Sequence, residues 1–234
     1  MQNTKQLILD TARNLFYTNG YETTSIQTII DTVGIAKGTF YHHFSSKEDL
    51  LDQLIKHFSE TLIEAMKNVA EDSTLNAVEK LNRAFIETGQ MKIDSVNMDL
   101  LIVIMKNLYT NKNLLLRHKM DEMTIKEISP ILSGIIRQGI AEKVFDTEYP
   151  EDMAELIMMI GGYLREASMD IMGNPTIEEI AAAVPGLKYK AEMYQISVER
   201  LLKAPEGSVQ LFKPDIYEDF VERLKSRGGL DDKN

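Results

Sequence analysis

One short run of residues carries side chains that could recognise another molecule. Residues 37–43 read KGTFYHH, and the run combines a lysine, a threonine, a tyrosine and two histidines with no acidic residue. Nucleic acid favours this combination, because phosphates attract cations and base edges in the major groove require hydrogen-bond donors and acceptors. We therefore expect Lys37, Gly38, Thr39, Tyr41, His42 and His43 to face outward towards DNA.

The two adjacent histidines raise a second possibility, a metal site. Neighbouring residues on a helix point about 100° apart, however, so His42 and His43 would not converge on one ion. The sequence contains no cysteine, and no acidic residue of the run completes a ligand set. We expect neither a metal nor a cofactor.

The hydrophobic pattern predicts the helices that position this run. Apolar residues at helical spacing indicate a first helix over 4–18, a second from about 24 to 32 and a third over 37–43. Gly34 provides the backbone freedom for the turn between the second and third helices. Ser46 is expected to cap a fourth helix that runs from Lys47 to about residue 69. Two short helices joined by a glycine turn are typical of a helix-turn-helix.

Residues 4–56 resemble the N-terminal domain of the tetracycline-repressor (TetR) family of bacterial transcription regulators. The matching features are Ala12, Phe16 and Gly20-Tyr21, followed by TSIQTI from Thr24, GIAKGTFYHHF from Gly34 and SKEDLL from Ser46. The resemblance implies an all-α fold. It comprises an N-terminal three-helix DNA-binding domain over 1–47, extending to about residue 60, and a larger helical ligand-binding and dimerisation domain over 48–204. Residues 205–234 extend beyond many family members, with one helix and a disordered end expected.

The resemblance also implies which side chains contact DNA: Ser25, Gln27, Lys37, Gly38, Thr39, Tyr41, His42, His43 and Lys47. Thr39 and Tyr41 would contact phosphates or base edges, and His42 would contribute sequence preference. Lys47 would pair with the DNA backbone at the positive end of the fourth helix. Simpler alternatives stay open, because Tyr41 could be a half-buried packing residue and Lys47 a solvated lysine.

Composition and charge restrict the possible classes of protein. The 234 residues carry a net charge of −10, which argues against coating nucleic acid through bulk positive charge. Residues 1–58 are nearly neutral, with five basic and six acidic residues, so most of the negative charge lies outside the helix-turn-helix. The sequence has no recognisable signal peptide and no apolar run of roughly 18 residues, so we expect a cytoplasmic protein.

The remaining sequence predicts helices at about 75–88, 94–109, 113–141, 151–172, 176–183, 187–203 and 215–226. We interpret Gly89 and Pro185-Gly186 as helix ends, and expect Pro130 to bend or split its helix. A dimer would let two reading helices bind half-sites about one turn of DNA apart. Apolar faces near the C-terminus are candidates for its interface: Met153, Leu156, Ile157, Ile160, Leu164, Met193 and Ile196, with Gly161 and Gly162 allowing close approach. Alternatively, these faces are simply core.

The middle helices are expected to hold a small-molecule effector, as the resemblance implies. A methionine-rich stripe and nearby polar residues are candidates for the pocket: Met98, Met105, Tyr109, Arg117, His118, Met123 and Tyr163. Such stripes also occur in ordinary cores.

The leading hypothesis is a homodimeric regulator, a repressor released from its pseudo-palindromic operator by a small molecule. An all-helical enzyme is the rival from another class, but none of the four histidines has a glutamate three residues before it, as di-iron bundles require. A helical sensor that acts through a protein partner instead of DNA is the third hypothesis. The outward set of Lys37, Thr39, Tyr41 and Lys47 argues against it.

Overall fold

The computed structural model describes residues 4–93, 114–172 and 176–226, and within these ranges the chain forms nine helices and no strand. The helices are α1 (Thr4–Asn19), α2 (Ile26–Val33), α3 (Lys37–His43), α4 (Lys47–Glu71), α5 (Ala77–Ile93), α6 (Leu114–Ala141), α7 (Pro150–Met172), α8 (Ile177–Leu201) and α9 (Ile216–Ser226). The all-α fold predicted from the sequence is confirmed.

The first three helices and the start of α4 enclose one hydrophobic core. Phe16, Phe40 and Phe44 are its largest fully buried side chains. Leu50 and Leu54 of α4 close the core on one side. The helix-turn-helix therefore rests on α4 as well as on α1.

Helix α4 continues from this first core into the larger part of the chain, where it packs against α5 and α6. Met66 and Val69 lie in a cluster with Ala84 of α5 and Ile128 of α6. At the C-terminal end of α4, the buried Lys80 of α5 donates a hydrogen bond to the carbonyl of residue 70 at 2.6 Å. Helix α4 is thus fixed at both ends, each time to a different core.

The main core of the larger part lies between α5, α6, α7 and α8. Leu81, Leu132 and Ile157 are fully buried there, one from each of the first three helices. Tyr194 of α8 is also buried, and its hydroxyl donates a hydrogen bond to the carbonyl of Ile157 at 3.0 Å. Burial raises the pKa of this phenol well above its usual value.

A segment without regular secondary structure after α8 completes this core, and we call residues 208–212 the C-terminal strap. The side-chain amide of Asn82 on α5 pairs with the strap in two directions. It donates to the carbonyl of Ser208 at 2.8 Å and accepts from the backbone N–H of Gln210 at 2.8 Å. A single side-chain amide of α5 therefore holds the backbone of the strap at two points.

Helix α8 holds the other edge of the strap. The N–H of Val209 donates to a carboxylate oxygen of Glu199 at 3.2 Å, and the N–H of Leu211 donates to the side-chain carbonyl of Gln195 at 2.9 Å. Both apolar side chains of this pair are fully buried in the main core. Residues 205–226 therefore pack on the larger part of the chain.

Helix α9 follows the strap and packs on the first half of α8. Phe220, Val221 and Leu224 form a small cluster with Ile180 and Val184. The helix predicted at 215–226 is found almost as expected, at Ile216–Ser226.

Two predicted helix ends are wrong. Helix α5 continues through Gly89 to Ile93, and α8 is one helix through Pro185-Gly186 rather than two. Along α8 an unbroken stripe of buried residues spans the proline: Ile180, Val184, Leu187, Ala191, Tyr194 and Val198. Packing along this stripe offsets the hydrogen bond that Pro185 cannot donate. Pro130 likewise lies inside a continuous α6.

Other predictions lie outside the described residues, namely the helix at 94–109 and the disordered end at 228–234. Among the helices that the structure describes, none is long and apolar enough to cross a membrane.

Candidate nucleic-acid interface

Helix α3 presents the run KGTFYHH. It spans Lys37–His43, as predicted, and is held from inside by Phe40 and Phe44, whose ring centroids lie 5.6 Å apart. Both phenylalanine side chains are almost fully buried. Because these two anchors fix the rotation of α3, the side chains between them have a defined outward direction.

The side chains expected to face outward from α3 differ in exposure. Lys37, Gly38, Tyr41 and His42 are exposed, and Thr39 and His43 are half-buried. Tyr41 is 47% exposed, and its ring packs edge-on against Phe40 at a centroid distance of 5.4 Å. Tyr41 can therefore be both a packing residue and a contact residue, because one edge of its ring packs on the core while much of the side chain stays accessible.

Gly38 lies in the first turn of α3 without any packing reason to be glycine. A Cβ at this position would meet no atom within 4 Å, and its φ does not fall in the left-handed region. Glycine is a poor helix former, which costs about 1 kcal/mol relative to alanine in a helix interior. No contact within the folded chain explains why this position carries glycine. Close approach by an outside partner is an explanation.

The turn before α3 fixes the angle between the two helices of the motif. Gly34 has φ 75°, in the left-handed region that favours glycine, and its N–H donates to the carbonyl of Ile30 at 2.9 Å. The N–H of Ile35 donates to the same carbonyl at 3.2 Å. These two bonds end α2 and direct the chain into α3.

The N-terminus of α2 carries the other two predicted contacts within the motif. Ser25 caps the helix, and its hydroxyl oxygen accepts the N–H of Thr28 at 3.0 Å. Gln27 is exposed in the first turn and donates its amide to Asp31 at 2.7 Å. Both side chains lie at a helix N-terminus, where backbone N–H groups favour an anion.

Helix α4 begins with a tightly capped first turn. The hydroxyl oxygen of Ser46 accepts the N–H of Asp49 at 3.1 Å, and the carboxylate of Asp49 accepts the N–H of Ser45 at 2.7 Å. Hydrogen bonds from Gln53 and from Ser45 hold the pKa of the Asp49 carboxyl below its usual value. The cap fixes the junction between α3 and α4.

Lys47 differs from the rest of the predicted set, because its side chain is turned towards the protein. Its ammonium donates to the carbonyls of Tyr21, Glu22 and Thr24 at 2.8, 3.3 and 3.2 Å. The same nitrogen lies 4.3 Å from the centroid of the Tyr21 ring. Contact with a DNA phosphate stays a prediction for this residue, and it would compete with these bonds.

The two histidines of α3 are in edge contact, with ring centroids 5.0 Å apart. Within the described ranges, no group of three or more histidine, cysteine, aspartate or glutamate side chains could hold a metal ion.

The residues predicted for a dimer interface divide between core and surface. Ile157 and Leu164 are buried in the main core, so their assignment to a partner surface is wrong. Gly161 also faces inward, since a Cβ there would lie 3.1 Å from the Tyr194 hydroxyl. Met153, Ile160 and Ile196 are half-buried, whereas Leu156 and Met193 are exposed.

An exposed apolar surface does exist on α7 and α8, and we call it the outer face: Leu156, Met159, Tyr163, Tyr189 and Met193. Tyr163 was expected in the effector pocket, but it is 62% exposed on this face, and the ammonium of Lys190 lies 5.0 Å from its ring centroid. Met159 and Tyr189 were missed, although their helical spacing from Leu156 and Met193 could have identified them.

The other predicted pocket residues have no described side-chain geometry. Met98, Met105 and Tyr109 lie outside the described residues. Arg117, His118 and Met123 belong to α6, but their side chains are also outside the described part.

Two family models match separate parts of the chain. A family model described as "Bacterial regulatory proteins, tetR family" matches residues 8–54. A second, described as "Tetracyclin repressor-like, C-terminal domain", matches residues 92–184. The first match contains the whole helix-turn-helix and the capped start of α4.

Curated relatives are similar over part of the chain. The HTH-type transcriptional repressor KstR2 of Mycobacterium tuberculosis is 35% identical over 79 residues, which are 34% of this chain and 39% of that protein. The fatty acid metabolism regulator protein of Bacillus subtilis is 33% identical over 133 residues, or 57% of this chain and 66% of that protein. The chain thus matches less than two thirds of the length of these relatives.

Solved structures match over more of the chain. The SmeT–triclosan complex superposes with a TM-score of 0.63 at 15% identity, covering 88% of this chain and 94% of SmeT. Another structure describes SmeT as the repressor of the Stenotrophomonas maltophilia multidrug efflux pump SmeDEF. At this identity the likeness shows a common fold.

Proposed function

We propose that this chain, which belongs to the TetR family of bacterial transcription regulators, is a DNA-binding repressor that works as a homodimer in the cytoplasm and leaves its operator when a small molecule binds. The observation that carries the proposal is the surface of α3. Lys37, Tyr41 and His42 are exposed on this helix, Phe40 and the C-cap Phe44 anchor it in the core, and the helix has no carboxylate.

The contacts that we assign to DNA follow from this surface. Lys37 and Gly38 begin the helix, where a glycine without a packing role lets the DNA backbone come close. Thr39 and Tyr41 reach phosphates or base edges, and His42 provides sequence preference. The flanking contacts are assigned to Ser25, Gln27 and His43. Lys47 stands apart from this group, because three carbonyl oxygens already engage its ammonium.

The outer face of α7 and α8 supports assembly with a second copy. Its five exposed apolar side chains lie on two neighbouring helices, and Tyr163 of α7 contacts Lys190 of α8 across their junction. An exposed apolar patch of this kind marks an interaction site. A two-fold dimer would place two α3 helices on half-sites about one turn of DNA apart.

The effector is assigned to the middle helices, near the methionine-rich stripe that includes Met98 and Met105. One relative named for fatty acid metabolism and a fold neighbour in complex with triclosan favour an apolar or amphipathic molecule. Helix α4 would carry the signal, because it is fixed to the first core at one end and to α5 and α6 at the other. The effector would bind more tightly, by about 1–3 kcal/mol, to a dimer whose two α3 helices are wrongly spaced for the operator. That preference would lower DNA affinity roughly 5- to 150-fold.

The test is a fluorescence-anisotropy titration against DNA that flanks the coding region of this protein, repeated at two salt concentrations. We expect saturable, salt-sensitive binding that outcompetes random DNA. A Tyr41→Ala variant should bind this DNA more weakly by about 1–3 kcal/mol and should melt within a few degrees of the parent, since much of the side chain is solvent-exposed.

A matched control is Gln138→Ala, on α6 in the larger part, which should bind DNA like the parent. If Tyr41→Ala also binds like the parent, the assigned surface is wrong. If the parent protein binds the flanking DNA no more tightly than random DNA, the alternative function gains support, namely a helical sensor that acts through a protein partner.

A further inference from the structure

The side chain of Lys47 contacts several groups of the protein itself, and a lysine that only binds a phosphate would need none of these contacts. An ammonium group has three donors and no acceptor, and the structure shows three carbonyl oxygens within 3.3 Å of this one. The Tyr21 ring covers the same nitrogen at 4.3 Å from its centroid. The cation is therefore fully engaged inside the protein before any DNA is present.

Its three acceptors all belong to one loop. Residues 21, 22 and 24 connect α1 to the Ser25 cap of α2, whereas Lys47 is the first residue of α4. A cation in the first turn of a helix is disfavoured by the helix dipole, and carbonyl oxygens offset that cost where they converge on it. The contacts thus join parts of the chain that are 23 to 26 residues apart.

The same loop has a separate attachment to α1. The buried Thr24 donates its hydroxyl to the carbonyl of Gly20 at 2.7 Å and lies 3.2 Å from the carbonyl of Leu15. Thr24 therefore fastens the loop to α1, and Lys47 fastens it to α4. Between them the N-terminus of α2 is held in a fixed position relative to the long helix.

We infer that Lys47 is a positioning residue, which clamps the α1–α2 loop to the start of α4 so that the helix-turn-helix and α4 move as one body. Its effect on DNA binding is indirect, through the placement of α2 and α3, rather than through a phosphate. This inference rests on the proposed function for its DNA readout, but not for its readout in the free protein.

Salt dependence separates the two roles. A lysine that neutralises one phosphate contributes about 0.9 to the slope of log K against log salt concentration, whereas a positioning residue contributes nothing to the slope. Two variants serve the test. Lys47→Met removes the charge, and Lys47→Arg keeps it but replaces a point-like donor with a planar fork that fits three converging carbonyls poorly. Lys37→Met, on the exposed face of α3, is the matched control for a lysine assigned to DNA.

The first measurement is hydrogen–deuterium exchange on the free full-length protein. We expect both Lys47 variants to exchange faster at residues 20–28, while the main core around Tyr194 stays protected and Lys37→Met matches the parent. Unchanged exchange in the Lys47 variants would overturn the clamp, and this result does not depend on whether the parent binds DNA.

The second measurement is the DNA titration over a series of salt concentrations. We expect both Lys47 variants to bind roughly tenfold or more weakly, with the parent's slope, and Lys37→Met to lose about 0.9 in slope. A shallower slope for Lys47→Met, with parental binding by Lys47→Arg, would assign Lys47 to a phosphate and overturn the inference. If the parent itself does not bind, the proposed function fails, and the exchange result alone decides the clamp.

Discussion

The C-terminal strap offers a sharp test of how the larger part of the chain is stabilised. Leu211 is fully buried in the main core, and its N–H is bound by Gln195 of α8. The neighbouring Gln210 has an exposed side chain and uses only its backbone to pair with Asn82. Leu211→Ala and Gln210→Ala therefore change adjacent positions of one segment, but only the first removes core volume.

The expected cost follows from burial. Truncating a fully buried leucine to alanine typically costs 2–5 kcal/mol, because the apolar transfer energy is lost and a cavity remains. A segment without regular secondary structure near the surface can partly collapse into that cavity, so we expect about 3 kcal/mol. For a chain of this size, that loss lowers the melting temperature by roughly 6–12 °C. Gln210→Ala should stay within about 0.5 kcal/mol of the parent.

The assay is thermal unfolding followed by circular dichroism, with urea denaturation to obtain the free energy of unfolding. If Leu211→Ala melts no lower than Gln210→Ala, the strap opens on its own before the core does. The strap would then not belong to the cooperative unit of the main core.

Two further predictions concern the cap of α4 and the outer face. The Asp49 carboxyl has a lowered pKa in the folded protein, chiefly through hydrogen bonds from Gln53 and Ser45. The ionised carboxylate therefore stabilises the fold above the unfolded pKa of about 3.9. This stabilisation is lost as the pH falls through the lower pKa of the folded protein. Asp49→Asn should therefore have a lower melting temperature than the parent at neutral pH. In a pH series of melting curves, this difference in melting temperature should narrow below about pH 4. A difference that stays constant with pH would contradict the assignment. Met159→Glu places a charge on the outer face and should weaken the proposed dimer by at least about 2 kcal/mol, or roughly 30-fold, in sedimentation velocity. Thr61→Glu, which adds the same charge to an exposed position of α4, should leave the dimer intact, and equal behaviour of the two variants would move the interface elsewhere.

The helix-turn-helix could be predicted from sequence almost residue by residue. Its signals are local, since Gly34 supplies the turn, Ser46 supplies the cap, and the two phenylalanines of α3 and its C-cap supply the anchors. Lys47 was harder, because its three acceptors are backbone carbonyls more than 20 residues away. No residue type marks a carbonyl oxygen, so no sequence pattern could have shown that the lysine points inward.

The larger part could be predicted only coarsely. Pro185 and Gly186 are good local signals for a helix end, yet the buried stripe from Ile180 to Val198 passes through them without interruption. Tertiary packing outweighs local preference there. Similarly, Ile157 and Leu164 were placed on a partner surface because one helix face holds both core and surface positions, and spacing alone does not say where the boundary lies.

The two cores can be completed at different stages of protein synthesis. The core around Phe40 closes with residues 50–55, so it can form early as the chain leaves the ribosome. The main core needs Leu81 together with Leu211, and therefore waits until most of the described chain has emerged. The helix-turn-helix should thus fold while the surfaces of α5 and α8 that the strap later covers are still bare. During that interval the apolar side chains that Val209 and Leu211 later cover are exposed, so mutations that delay packing of the strap should promote aggregation of the nascent chain.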